Sequence, residues 1–105
     1  MKPGNDAKLL MKKTLRKGSN LDEKPYLCKV FRYDVKQESI YLVLKNDEVT
    51  ALSLDAIYEC SIRESERDTF CTGRIKERYH NESGKILKFE IENGFYKINL
   101  KSVDK

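Results

Sequence analysis

Hydrophobic and polar residues alternate most regularly near the C-terminal end of the sequence, from Lys85 to Ser102. Asn93-Gly94 lies in the middle of this stretch, and Asn-Gly favours the two-residue type I′ turn of a β-hairpin. The predicted hairpin has one apolar face, formed by Leu87, Phe89, Ile91, Tyr96, Ile98 and Leu100. A lone hairpin is only marginally stable in water, so we expect this face to pack against other strands.

Four further segments have the β-branched and aromatic content or the alternation of strands. They are Pro25 to Asp34, Ser39 to Lys45, Ala56 to Arg63, and Thr69 to Tyr79. Residues 50–54 suggest a short strand or a connector. Gly73, inside the fourth segment, predicts a β-bulge or a close approach of backbone. Turn-forming residues separate the segments, for example residues 80–84 (HNESG).

The N-terminal segment is open to two interpretations. Asn5 or Asp6 could cap a short helix that ends before Gly18, but residues 7–17 are also compatible with a strand. At 105 residues the chain should form a single domain. We therefore predict an all-β fold, a small antiparallel barrel of six or seven strands. Its strands would lie in residues 25–102, preceded by a short N-terminal helix or arm and loop over residues 1–24.

The amino-acid composition limits which classes of function this protein could have. The residues are 39% hydrophobic and 36% charged, and no apolar run is long enough to span a membrane. Because no signal-peptide pattern is present either, we expect a cytoplasmic protein. The three cysteines, Cys28, Cys60 and Cys71, lack the spacing of a zinc site. We interpret them as core thiols, and we predict no metal and no cofactor.

Positive charge is concentrated at the N-terminus, where residues 1–17 hold six basic side chains and one acidic one. Lys12, Lys13 and Arg16 are therefore candidates for contacts with a partner. A basic arm can attract nucleic acid or anionic lipid, or it can simply keep a protein soluble.

A second basic group is Arg74, Lys76 and Arg78, which would share one face of a regular strand. Three cations in a row could clamp phosphates, or they could form an ordinary solvent face. Phe95 points away from the apolar face in the predicted hairpin register, so it is a candidate partner contact.

Catalytic constellations are missing from the sequence. The only histidine is His80, and the one nucleophilic pair to consider is Cys71 with His80. No Gly-rich phosphate loop is present. We therefore predict that the protein is not an enzyme.

Residues 9–100 resemble the N-terminal domain of flagellar-brake proteins of the YcgR type, which precedes a PilZ domain in cyclic-di-GMP effectors. The segments that carry the resemblance are YLCKVFRYD, SIYLVLKN, AIYECSIRE, DTFCTGRIKERY and KILKFEI. The resemblance implies a split β-barrel that contacts proteins and positions PilZ.

The nucleotide-binding motifs of PilZ are not reproduced, and we expect no PilZ domain after Lys105. Arg74 and Arg78 have the RxxxR spacing but lie within an earlier strand, and Ile86 stands where the second motif would close with glycine. Cyclic-di-GMP binding is therefore not expected. We predict a non-catalytic regulatory or adaptor module with a protein partner. The alternative is a small nucleic-acid or anionic-ligand binder that uses the N-terminal arm and the Arg74/Lys76/Arg78 row.

Overall fold

A computed structural model describes residues 2–65 and 67–97, the last four by their backbone alone. Its six strands form one closed antiparallel barrel in the order β1-β2-β3-β6-β5-β4, with β4 pairing back onto β1. This confirms the predicted all-β barrel. The strands are β1 (Asp6–Thr14), β2 (Tyr26–Asp34), β3 (Ser39–Leu44), β4 (Ala56–Glu64), β5 (Arg67–Asn81) and β6 (Gly84–Lys97).

One short 3-10 helix, Val49–Ala51, lies between β3 and β4. Across the described ranges, no helix has the length and apolar character needed to cross a membrane.

Alternate residues of each strand point into the barrel and form a single core. The predicted apolar face of β4 is confirmed, because Ala56, Tyr58, Cys60 and Ile62 are all fully buried. The three cysteines are fully buried too, as the core-thiol interpretation predicted. Burying each large apolar side chain contributes roughly 1.5–3 kcal/mol. The core is completed by residues of the other strands and of the β3–β4 connector, including Leu9, Val30, Leu42, Leu52, Ile75, Leu87 and Phe89.

The N-terminal segment is a barrel strand, so the predicted helix or detached arm is wrong and the strand interpretation is right. Residues 6–9 pair with β2, and residues 7–14 pair with β4. Ala7, Leu9 and Met11 alternate into the core, a period of two that a helix cannot use. The ring closes only through β1, which explains why this lysine-rich segment is extended.

The predicted hairpin at Asn93-Gly94 is also wrong, because β6 runs through these residues without reversing. The register against β5 shifts on both sides of Asn93, which pairs with Thr72. Each shift places an extra residue on β6, as in a β-bulge. Alternation on either side of Asn-Gly fits one bulged strand as well as two strands joined by a turn. Closure of the ring favours the single bulged strand. Residues 69 and 70 of β5 pair with residues 97 and 96, which only a strand that continues past Asn93-Gly94 can provide.

The reversal lies in residues 80–84, where the sequence analysis predicted a turn. Asn81 pairs with Gly84, and Asn81 Oδ1 accepts a hydrogen bond of 2.8 Å from the Ser83 N–H. Gly84 has a φ of 121°, which only glycine adopts at little cost. Leu87, Phe89 and Ile91 are buried as predicted, whereas Ile98 and Leu100 lie outside the described residues.

Gly73 has the role that its position in a strand predicted. A Cβ atom there would lie 2.0 Å from the carbonyl oxygen of Glu90 and 2.9 Å from its carbonyl carbon. The register also shifts between Thr72 and Gly73. The backbones of β5 and β6 therefore approach each other too closely here for any other residue.

Candidate binding surfaces

The predicted row of Arg74, Lys76 and Arg78 is interrupted by a β-bulge. The register of β5 against β6 shifts between Ile75 and Glu77, which leaves Lys76 as the extra residue. Arg74 therefore lies opposite Glu90 on the outer face, whereas Arg78 lies opposite the core residue Leu87. The three cations do not share one face, and the bulge explains why the strand period failed here.

Arg74 and Arg78 both hold the connector between β3 and β4. Arg78 Nη1 donates a hydrogen bond to the carbonyl oxygen of Leu52. Arg74 Nη2 lies 3.4 Å from the carbonyl oxygen of Leu54. Lys76 instead forms a surface ion pair of 3.6 Å with Glu90. Two of the three predicted ligand-binding side chains thus contact the same backbone segment, and the third does not.

The connector is fixed from inside the barrel as well. The side chain of Leu52 is fully buried in the core, and the hydroxyl of Tyr58 accepts a hydrogen bond of 2.9 Å from the Ser53 N–H. Burial raises the pKa of Tyr58, while the Ser53 N–H and the nearby Arg78 act in the opposite direction. The guanidinium of Arg78 is therefore close enough to the buried Tyr58 hydroxyl to oppose this rise in its pKa. Both groups contact the connector, Arg78 at Leu52 and Tyr58 at Ser53.

A different surface, which the sequence analysis missed, crosses the outer face of β2, β3 and β6. Arg32, Tyr41 and Lys88 are direct cross-strand neighbours. The guanidinium of Arg32 lies 4.3 Å from the centroid of the Tyr41 ring, and Lys88 Nζ lies 5.9 Å from it. A cation above an aromatic ring is attracted to the negatively charged face of the ring. A bulge after Val30 turns Arg32 outward, and no local sequence signal marks that bulge.

Next to this trio lies a second outward row, formed by Val43, Ile86 and Tyr79. Ile86 is fully buried but belongs to no part of the barrel core. Since Leu87 points inward, Ile86 points outward, and its neighbours on the surface cover it. Tyr79 is 36% exposed. We call the six residues of the two rows the tyrosine face: Arg32, Tyr41, Val43, Tyr79, Ile86 and Lys88.

The predicted partner contacts of the N-terminal segment lie on β1 and just beyond it. Lys12 is the extra residue of a bulge between Met11 and Lys13, and both lysines are exposed. Arg16 follows the strand and lines a cleft beside the connector. These cations lie on the side of the ring opposite the tyrosine face, since β1 and β4 are farthest from β3 and β6. Phe95 is part of β6, but its side chain lies outside the described residues.

Many basic side chains of the barrel are paired with carboxylates, including Arg32 of the tyrosine face, whose Nη1 lies 3.9 Å from Asp34 Oδ2. Lys29 and Lys45 both bond Asp6, at 2.9 and 3.1 Å, and their hydrogen bonds lower the pKa of that carboxyl group. Exposed pairs of this kind contribute little to stability, but they neutralise the surface. Further pairs join Lys24 to Asp47, Arg63 to Asp68 and Lys85 to Glu48.

The geometry separates Cys71 from His80. They lie nine residues apart on one strand, or roughly 30 Å at the rise of a β-strand. Cys71 points into the core, whereas His80 is exposed. Burial raises the pKa of Cys28 to about 12, and a hydrogen bond with Cys71, together with burial, raises that of Cys60. Within the described residues no three side chains of the metal-binding types cluster.

Comparisons with known proteins give no family for this chain: no family model, no curated protein and no solved structure matches it. The resemblance to the N-terminal domain of flagellar-brake proteins therefore stays a prediction.

Proposed function

We propose that this barrel is a non-catalytic adaptor module that binds a protein partner through the tyrosine face. The observation that carries the proposal is an outward row of Val43, Ile86 and Tyr79, in which Tyr79 is exposed above the buried Ile86, flanked by the cations Arg32 and Lys88. Aromatic and arginine side chains are enriched in protein interfaces. Arg32 lies 3.9 Å from the carboxylate of Asp34 and Lys88 lies opposite Glu77, so both signs of charge surround the face. We therefore propose a partner that places an apolar side chain against Tyr79 and charged side chains of both signs around it.

The closed ring supports binding by side chains. An open sheet could bind an added strand through its edge, whereas here every strand has a neighbour on both sides over part of its length. We therefore propose that a partner recognises the side chains that project from the paired part of the barrel.

The alternative, a nucleic-acid binder, has less support. A stacking platform needs open aromatic faces beside a basic groove, and Arg32 already covers the ring of Tyr41. The free cations Lys12 and Lys13 lie on the other side of the ring. The proposal of a non-catalytic role is supported by the burial of the three thiols and by the distance of His80 from them.

The resemblance to flagellar-brake N-terminal domains agrees with this function, and we propose that the chain is related to them. A bacterial signalling role follows from that relationship, and we propose no binding of cyclic-di-GMP. Three free thiols are typical of a reducing compartment, which supports a cytoplasmic location.

Photo-crosslinking tests the surface directly. A benzophenone amino acid at Tyr79 should capture a protein in the cells that naturally contain this chain, and the same group at Ser61 on β4 should not. The captured protein would then be purified and titrated calorimetrically against the wild type, Lys88→Glu and the control Lys8→Glu. Reversing a charge at the interface should weaken binding about tenfold or more, whereas the control should bind as the wild type does.

Equal crosslinking from both positions, or unchanged affinity of Lys88→Glu, would refute the proposal. Retention of nucleic acid that falls steeply with added salt would favour the alternative.

A further inference from the structure

A polar cleft of about 290 Å³ lies between the connector and the barrel. Arg16 and Arg78 form part of its wall, together with the backbone and side chains of residues 50–55. The two arginines come from distant parts of the chain, one from the end of β1 and the other from β5. The fold therefore brings two guanidinium groups to one cleft, on a surface distinct from the tyrosine face.

The arginines around this connector have no anionic partner among the described residues. Arg78 donates to the carbonyl oxygen of Leu52, and Arg74 approaches that of Leu54. Both acceptors are neutral. The Nε atom of Arg74 is buried and has no hydrogen-bond partner among the described groups. Burying part of a guanidinium without a counter-charge is costly, so Arg74 carries an unsatisfied donor at this end of the barrel.

Two features limit what could bind. Asp55 also lines the cleft, and its carboxylate would repel an anion at that end. The volume is close to the lower limit of small-molecule pockets, so the cleft fits a phosphate group with a small substituent rather than a polymer.

We propose that the cleft binds the phosphate group of a small phosphorylated ligand between Arg16 and Arg78. The planar guanidinium forms paired, charge-assisted hydrogen bonds to phosphate oxygens, and Arg78 has donors beyond the one used on Leu52. The side chain of Arg16 is exposed and forms no ion pair with a carboxylate in the described ranges, so it can close on the ligand.

Amide NMR shifts test the site, with inorganic phosphate and AMP as probes at constant ionic strength set by sodium chloride. We expect saturable shifts at residues 50–55 with both probes. Tighter binding of AMP would identify a phosphorylated metabolite as the ligand class, and equal or tighter binding of phosphate would identify the free ion.

Matched variants separate this site from general attraction to a basic protein. Arg16→Gln should weaken binding about tenfold, the effect of one charge-assisted hydrogen bond. Lys12→Gln removes the same charge from β1 outside the cleft and should bind normally. Arg78→Lys keeps the charge that holds Leu52 but loses the paired geometry, so it should fold and bind more weakly.

The proposal is overturned by shifts that do not saturate, by equal shifts around Lys12 and Lys13, or by an unchanged affinity of Arg16→Gln. Lys88→Glu should leave phosphate binding intact, so this test and the test of the tyrosine face fail independently.

Discussion

Replacement of Gly73 by alanine should strongly destabilise the barrel, because the new Cβ atom has nowhere to go. It would lie 2.0 Å from the Glu90 oxygen and 3.0 Å from the Ile91 Cα atom, both of them backbone. Strand β6 would have to retreat by about 1 Å. Overpacking of this kind costs about 1–3 kcal/mol, and weakening two neighbouring ladder bonds adds about 1–3 kcal/mol.

A loss of about 2–6 kcal/mol is large against a total stability of about 5–15 kcal/mol. Urea unfolding followed by circular dichroism should show this loss, and thermal unfolding should show a fall in Tm of roughly 10 °C or more. Gly18→Ala is the control: Gly18 has a φ of 82° and no neighbouring atom within 4 Å, so it tests left-handed strain alone, about 1–2 kcal/mol. If the free energy of unfolding of Gly73→Ala lies within about 1 kcal/mol of the wild-type value, β5 and β6 do not approach each other this closely.

Three further predictions concern single groups. Tyr58→Phe removes the acceptor of the Ser53 N–H; it should cost about 1–2 kcal/mol and speed hydrogen exchange at that amide, and unchanged exchange would contradict the contact. The free energy of unfolding should fall as the pH rises from about 9 toward 12, because the unfolded Cys28 thiol ionises near 9 while the folded one keeps its proton to about 12. In urea titrations at several pH values, Cys28→Ala should show a shallower decline of this free energy. An identical slope in the variant and the wild type would refute the raised pKa of Cys28. The carboxyl of Asp6 should titrate below its usual range by NMR, because Lys29 and Lys45 stabilise its charge; the double variant Lys29→Met, Lys45→Met should return it to normal, and a normal value in the wild type would exclude these pairs.

Regular alternation predicted most of the barrel. The inward face of β4 (Ala56, Tyr58, Cys60 and Ile62) could be identified because an uninterrupted strand keeps one phase. The turn ending at Gly84 was predicted because its residues have specific backbone preferences.

The incorrect predictions concern segments in which pairing with a distant strand outweighs the local sequence pattern. Asn93-Gly94 is a strong turn signal, yet β6 continues because β5 requires a partner beyond Gly73. Lysines and polar residues obscured β1, whose apolar residues Ala7, Leu9 and Met11 become meaningful only once β4 provides a surface for them. Pairing partners of this kind are absent from the local sequence.

Three of the bulges determine which of the candidate binding side chains reach the surface. They occur after Met11, Val30 and Ile75. Beyond each bulge, the residues of the strand that would have pointed inward point outward, and the reverse. The second turns Arg32 outward onto Tyr41, and the third turns Arg78 toward the connector. Bulges are typical of functional edges in β-proteins because they re-aim side chains. Both proposed binding surfaces therefore depend on phase changes that the hydrophobic pattern does not reveal. We propose that a partner and a ligand bind at these two re-aimed cations, Arg32 and Arg78.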